Sequence, residues 1–320
     1  MPPAHPMLAR AFALLEAGRK AEGLLIVNQL AAQGEPEALF TLAKEKWRGI
    51  ILPQDLAQAR QLFRRADEAG HALAAVLCTN LLANGIAGEP DWPGALRRLR
   101  EEARGNPRRK QILSLVEKMK LDPQGDPLSL PPGRRLSEAP EVTLFPHLFS
   151  AAECDYLRQA EPAYRPSMVI DQATGGDVPD PIRTSDGTVI HWLIEDPAIH
   201  ALNRRLAAAS GTSVDQGEPL QILRYRPGQQ YLNHFDFVPG AENQRMLSAL
   251  VYLNDGFKGG ETCFVRTGLK VKGRKGDALV FRNLGADRQA DPLSEHAGLP
   301  VTGGTKFLAS RWIRERRHVP

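Results

Sequence analysis

The sequence predicts two fold classes in series: an α-helical repeat domain, then a β-rich sandwich or jelly roll buttressed by helices. Three observations predict this. Residues up to about 120 are rich in Ala, Leu, Arg and Glu, all good helix formers, with apolar residues at helical spacing. From Asp122 to Pro140 the composition shifts to Pro and Gly, which break helices and central strands. Beyond Pro140, short strand-like runs replace the helical ones. The expected division is therefore 1–121 for the helical repeats, 122–140 for a linker and 141–320 for the second domain.

Composition narrows the function classes. The chain has 320 residues, 42% hydrophobic and 24% charged, as an ordinary globular protein with room for two cores does. A net charge of +4 is too small to single out nucleic acid as a partner. The start Met1-Pro-Pro-Ala-His-Pro lacks the basic-then-apolar layout of a signal peptide. No apolar run approaches the roughly 20 residues that span a bilayer, so no membrane partner is expected. Cys78, Cys154 and Cys263 are scattered, without a Cys-x-x-Cys, and read as reduced thiols of a cytoplasmic protein.

Within the first domain, Leu56, Ala59, Leu62, Phe63 and Ala66 form one helical stripe. A longer period overlies it. Gly34 matches Gly70, Ala38 matches Ala74, Gly49-Ile50 matches Gly85-Ile86, Asp55 matches Asp91 and Ala59 matches Ala95, each pair 36 apart. That period suits helix-turn-helix solenoids, with Ala at crossings where backbones approach. The pattern resembles Sel1-like repeats, relatives of the tetratricopeptide family, which implies an α-solenoid. Such repeats usually offer a concave surface to a peptide or protein; the alternative is that the helices only buttress the second domain. The basic run Arg97, Arg98, Arg100, Arg104, Arg108, Arg109 and Lys110 reads as a solvated helix face, since no aromatic residues interleave with it.

In the second domain, strands are expected at 141–145, 167–170, 220–225, 246–253, 278–281 and 307–313. Ser150 with Glu153 makes a capping box for one helix, and Pro197 starts another running to about Ser210. The stretch Tyr225-Arg-Pro-Gly-Gln-Gln-Tyr231-Leu-Asn-His234-Phe-Asp236 reads as a strand in its last part. His234 and Asp236 then share a face. With a second imidazole they would complete a 2-His-1-carboxylate set, which leaves three positions of an octahedral iron(II) open. His296 is the candidate for that place. Lys306 lies in a strand, and an inward lysine is costly unless it meets an anion such as the far carboxylate of 2-oxoglutarate.

The second domain resembles the prolyl 4-hydroxylase family of Fe(II)/2-oxoglutarate dioxygenases from about 141 to 316. The resemblance is carried by Phe149-Ser-Ala-Ala-Glu-Cys154, Arg183-Thr-Ser185-Asp-Gly187 and Tyr225-x-x-Gly228-x-x-Tyr231-x-x-His234-x-Asp236. It continues through Gln244-Arg245, Leu250-Val-Tyr252-Leu-Asn254, Gly259-Gly-Glu-Thr262, Lys275-Gly-Asp277, His296-x-Gly298-x-Pro300-Val301, Lys306 and Trp312-Ile-Arg. It implies a double-stranded β-helix, iron(II) on His234, Asp236 and His296, and 2-oxoglutarate on Lys306 with Tyr225, Thr262 and Tyr252. It places Arg183 and Ser185 on a loop closing over a peptide, and Tyr231, Arg245 and Trp312 on the substrate side. The implied reaction uses O2, turns 2-oxoglutarate into succinate and CO2, and hydroxylates a prolyl C–H bond, with ascorbate as reductant. Two departures bear on substrate choice: Val265-Arg266 replaces a usual Phe-Pro, and Glu295 precedes the distal histidine where an apolar residue is usual. The competing readings are a hydroxylase of a free amino acid or small peptide, and a repeat-based adaptor with an inactive dioxygenase domain.

Overall fold

The computed structural model describes residues 5–159, 164–170 and 177–319. Its contacts divide the chain into two compact units. The first runs to Leu113 and also takes in Trp192–Pro197; the second comprises Ser114–His191 and the chain from Ala198 onward.

The first unit is a succession of helices, Pro6–Glu16, Lys20–Ala32, Pro36–Arg48, Leu56–Glu68, Ala72–Asn84 and Trp92–Glu102, followed by Pro107–Lys118, within which the division falls. The 36-residue period has a physical counterpart at several of the matched pairs. Asp55 and Asp91 each cap a helix, accepting from the backbone N–H of Gln58 at 2.9 Å and of Gly94 at 2.8 Å. Gly49 and Gly85 end the preceding helices with φ of 70° and 68°, left-handed values that a side chain disfavours. Ala38, Ala59, Ala74 and Ala95 are fully buried. Asn80 and Asn84 donate to the carbonyls of Leu193 and Trp192, which secures the separate segment to this unit.

The second unit is built on two main β-sheets, with two further two-stranded pairs among the described residues, Lys258–Gly259 with Val301–Gly303 and Met168–Ile170 with Asp177–Pro179. The larger sheet has eight strands in the spatial order Arg134–Glu138, Glu141–Phe145, Ala278–Arg282, Arg245–Tyr252, Lys306–Arg314, Leu220–Tyr225, Asp186–Ile190 and Arg165–Pro166. The smaller has four: Lys270–Val271, Thr262–Phe264, His296–Gly298 and Tyr231–His234. All the pairings are antiparallel, and the core between the sheets includes Leu223, Leu279, Phe281 and Leu308 from one and Phe264 and Val271 from the other. This is the jelly-roll, double-stranded β-helix arrangement. Both expected helices form, Ala151–Arg158 with its Ser150–Glu153 capping box and Pro197–Ser210.

Two expectations need correcting. The Pro/Gly-rich stretch is not bare linker, because Arg134–Glu138 is an edge strand paired with Glu141–Phe145. Its sequence Arg-Arg-Leu-Ser-Glu hides this, since an exposed edge tolerates charge on both faces. The strand carrying His234 stops at that residue, and Asp236 lies in the bend beyond it rather than on the strand. Its carboxylate reaches Ser248 instead of following the pleat.

Candidate metal centre and cosubstrate pocket

Strand pairing builds the site. His296 sits directly opposite His234 across an antiparallel pair, and the bend places Asp236 beside both. The His234 Nε2 and His296 Nε2 atoms lie 3.8 and 3.7 Å from the two carboxylate oxygens. These separations are too long for hydrogen bonds. The other ring nitrogens explain why. Nδ1 of His234 is 2.8 Å from the Leu232 carbonyl, and Nδ1 of His296 is 2.9 Å from the Ser294 carbonyl. Only an N–H can bond a carbonyl, so each Nε2 turns a lone pair toward the carboxylate. Three lone-pair donors, all within 4.8 Å of one another, fit a single cation.

Electrostatics agree with that fit. Burial, helped by the neighbouring His296, pushes the His234 imidazolium down to about 4, so the ring is neutral at ordinary pH. Burial raises the Asp236 carboxyl, whereas positive charge on either imidazole and the Ser248 hydroxyl bond lower it, and the balance leaves the group below its usual value. The Trp312 indole N–H also lowers it, although that N–H makes no geometrically complete hydrogen bond.

The cavity beside the triad owes its lining to strand period. Lys306, Leu308, Ser310 and Trp312 alternate along one strand and all face it, joined by Leu223 and Tyr225 from the next. Lys306 is 2% exposed. Among the described residues its hydrogen-bond partner is the Gly260 carbonyl at 2.8 Å, with no carboxylate in bonding range. Burial lowers its ammonium to about 8. A cation desolvated without an acid partner is a receptor for an anion.

A family model of the 2OG-Fe(II) oxygenase superfamily matches residues 220–314, the stretch that holds all these groups. Prolyl 4-hydroxylase 1 of Arabidopsis thaliana is 35% identical over an alignment of 201 residues that covers 57% of this chain and 71% of that protein. The chain belongs to the prolyl 4-hydroxylase family. It is a 2-oxoglutarate-dependent dioxygenase, an oxidoreductase that uses iron(II), 2-oxoglutarate and O2. The structure of a viral collagen prolyl hydroxylase from Paramecium Bursaria Chlorella virus-1, in complex with 2-oxoglutarate, is 26% identical and covers 55% of this chain and 96% of that one, with a TM-score of 0.42. A Sel1 repeat protein from Oxalobacter formigenes is 24% identical over 30% of this chain and 40% of that one, with a TM-score of 0.28.

In this prolyl 4-hydroxylase family member, the cavity also collects Thr262, Tyr231 and Arg183 of the residues singled out by sequence. The Tyr231 ring stacks on His234 with centroids 3.5 Å apart, and the Arg183 guanidinium lies 5.4 Å from the Tyr231 ring. Burial raises the Tyr225 phenol, opposed by the Arg183 charge and the Ser185 hydroxyl. Three singled-out residues stand behind the lining. The Tyr252 hydroxyl is wholly buried, 3.2 Å from Thr262 Oγ1 and 3.1 Å from the Val271 carbonyl. Ser185 is fully buried against Ser167 rather than at the lip of a loop. The Arg245 guanidinium is held by both oxygens of Glu218 at 2.6 and 2.9 Å and stacks on Trp312 at 3.6 Å. Sequence reading missed Glu218, Ser248 and the leucines of the lining. The leucines alternate with other residues on strands already expected, so strand period was the signal that could have found them.

Proposed function

We propose that this enzyme hydroxylates prolyl residues of a peptide or protein, with His234, Asp236 and His296 holding iron(II) and Lys306 binding 2-oxoglutarate. The observation that carries the reading is the coincidence, in one cavity, of three metal donors and a buried lysine without an acid partner. When bound, the metal and its cosubstrate supply the oxidation, turning 2-oxoglutarate and O2 into succinate, CO2 and a hydroxylated C–H bond.

The protein's own part is binding and orientation. The Lys306 ammonium takes the far carboxylate of 2-oxoglutarate, with Thr262 and Tyr225 as hydroxyl partners; Tyr252 supports Thr262 from behind. Fixing that end orients the keto acid before reaction. Leu223, Leu250 and Leu308 keep water from the pocket, which strengthens the charge pairing. Arg183 and Tyr231 at one side are placed to meet a peptide, and Trp312 lines the same cavity. Arg245 acts through Trp312, as the rigid support on its outer face. The prolyl preference follows the relatives named above. The first unit is proposed as the docking surface for the protein substrate, ascorbate as the reductant and the cytoplasm as the location. No helix of the described residues is long and apolar enough to cross a membrane.

The test is incubation with iron(II), ascorbate, 2-oxoglutarate and proline-containing peptides. Succinate should form, and mass spectrometry should find one added oxygen atom on proline. Both signals should vanish in His234→Ala. Undiminished succinate in that variant removes the triad assignment. Oxygen added only to free amino acids would favour the small-substrate reading.

A further inference from the structure

We propose that Ser248 and Asn283 are positioning residues, which commit one oxygen of Asp236 to the protein and leave the other free as a metal donor. This rests on the reading of His234, Asp236 and His296 as a metal triad. Ser248 is fully buried within the strand Arg245–Tyr252, and Asn283, just past the end of the strand Ala278–Arg282, is 1% exposed. Polar side chains buried there are costly unless their bonds are made. Ser248 is directed at the site, and Asn283 at Ser248. Ser248 Oγ lies 2.5 Å from Asp236 Oδ2. An ionised carboxylate only accepts, so the single serine proton goes to Asp236. Ser248 Oγ must then accept from elsewhere, and Asn283 Nδ2 is 3.0 Å away. The second amide proton points to the Arg245 carbonyl at 3.3 Å. Thus the orientation of the asparagine fixes the serine hydroxyl, and the serine fixes the carboxylate.

The backbone of Asn283 reaches the other side of the triad. Its carbonyl accepts from Asp291 N–H at 2.9 Å, and its N–H donates to the Met246 carbonyl at 2.9 Å. Asp291 opens the short turn Pro292–Ser294, whose last carbonyl holds Nδ1 of His296. One residue therefore anchors both a carboxylate and an imidazole ligand. An oxygen engaged in a short charge-assisted bond is a poorer metal donor than its free partner. Oδ1 is thereby left as the donor atom, and positions stay open for a cosubstrate.

The experiment titrates cobalt(II) into the metal-free full-length protein and follows its visible absorption. Ser248→Ala should weaken binding about 10- to 100-fold, the usual loss for an outer partner of a metal ligand, and should alter the cobalt spectrum because Oδ2 is released. Asn283→Ala should act in the same direction. The double variant should be no worse than Ser248→Ala, because the asparagine works through the serine. Ser248→Thr, which keeps the hydroxyl, should restore the spectrum. Wild-type affinity and spectrum in Ser248→Ala overturn the proposal, as do additive losses in the double variant. If Ser248→Thr does not fold, the Asn283→Ala spectrum decides, and an unchanged one overturns it. Cobalt binding that Asp236→Ala does not diminish would instead overturn the triad reading itself.

Discussion

Glu218 and Asp236 are both buried carboxylates of the second unit, and each faces nitrogen atoms from two side chains. At Glu218 the nitrogens belong to Arg245 and Arg314 and approach to 2.6–2.9 Å. They arrive as donors, so charge and hydrogen bonds are satisfied within the protein. At Asp236 the nitrogens are imidazole Nε2 atoms at 3.7 and 3.8 Å. They arrive with lone pairs, because their partner nitrogens have already given protons to backbone carbonyls. Three electron donors that cannot bond one another leave a place for a cation. The difference between a structural and a functional buried carboxylate here is not burial or charge. It is whether the partner's proton has been spent elsewhere.

Removal of each carboxylate should break that contrast in opposite ways. Asp236→Ala should abolish metal binding and turnover, read by titration of the metal-free protein and by succinate release, with little loss in urea-unfolding stability. Glu218→Gln should leave two half-buried guanidinium groups without their counter-charge. Losing such a charged hydrogen-bond partner should cost about 1–3 kcal/mol of stability, measured by the same unfolding curve. Metal affinity should be preserved. Equal stability losses in the two variants would refute the distinction.

Lys306 sharpens the comparison from the cationic side, since it is a buried charge with no carboxylate in hydrogen-bond range among the described residues. Its ammonium falls from 10.5 to about 8 through burial. In the ligand-free protein, the folded state therefore holds fewer protons than the unfolded chain between pH 8 and 10.5, and stability should rise with pH across that window. 2-Oxoglutarate needs the charged form, so its affinity should fall as pH rises through about 8. Lys306→Ala should weaken binding by about 2–5 kcal/mol and abolish the pH dependence. Calorimetric titration over this range measures both. A wild-type affinity that is flat with pH would mean that another cation takes the carboxylate.

How far the sequence reveals these groups follows from the range of the forces involved. His234 and Asp236 are two positions apart, and the pairing of short strands supplies His296. Local spacing therefore pointed to the first two, and His296 entered as the candidate second imidazole further along the chain. Lys306 was legible because an inward lysine on a strand conflicts with burial. The repeat was legible because each copy needs the same cap, turn and small residue. The closure of Arg245 by Glu218 was not. It joins residues 27 apart, and nothing in the letter Arg shows whether its charge is already matched. Ser248 and Asn283 were invisible for a related reason. A single small polar residue in an apolar strand, or just past its end, looks like tolerated noise until its hydrogen bond is seen. Past the bend that takes Asp236 off the strand, its carboxylate meets that same distant serine.

The smallest expected effect concerns carboxylates that spend an oxygen on backbone. Asp55 and Asp91 are exposed, stand 36 residues apart and cap successive repeat helices through a single N–H each. Removing a capping side chain leaves that amide to water and costs about 1 kcal/mol. The two sites are equivalent only if the repeat is structural and not merely a coincidence of letters. Asp55→Ala and Asp91→Ala should therefore destabilise by similar amounts, and Asp55→Asn and Asp91→Asn should recover most of the loss, because an amide oxygen caps as well as a carboxylate. Neither should alter metal or 2-oxoglutarate binding. Arg97 lies 3.9 Å from Asp91, but such an exposed ion pair adds little, so it should not separate the two sites. Chemical denaturation of the four variants measures this. A loss at one site without the other would show that the copies have diverged in how they hold their helices, and the 36-residue period would then mark ancestry rather than shared mechanics.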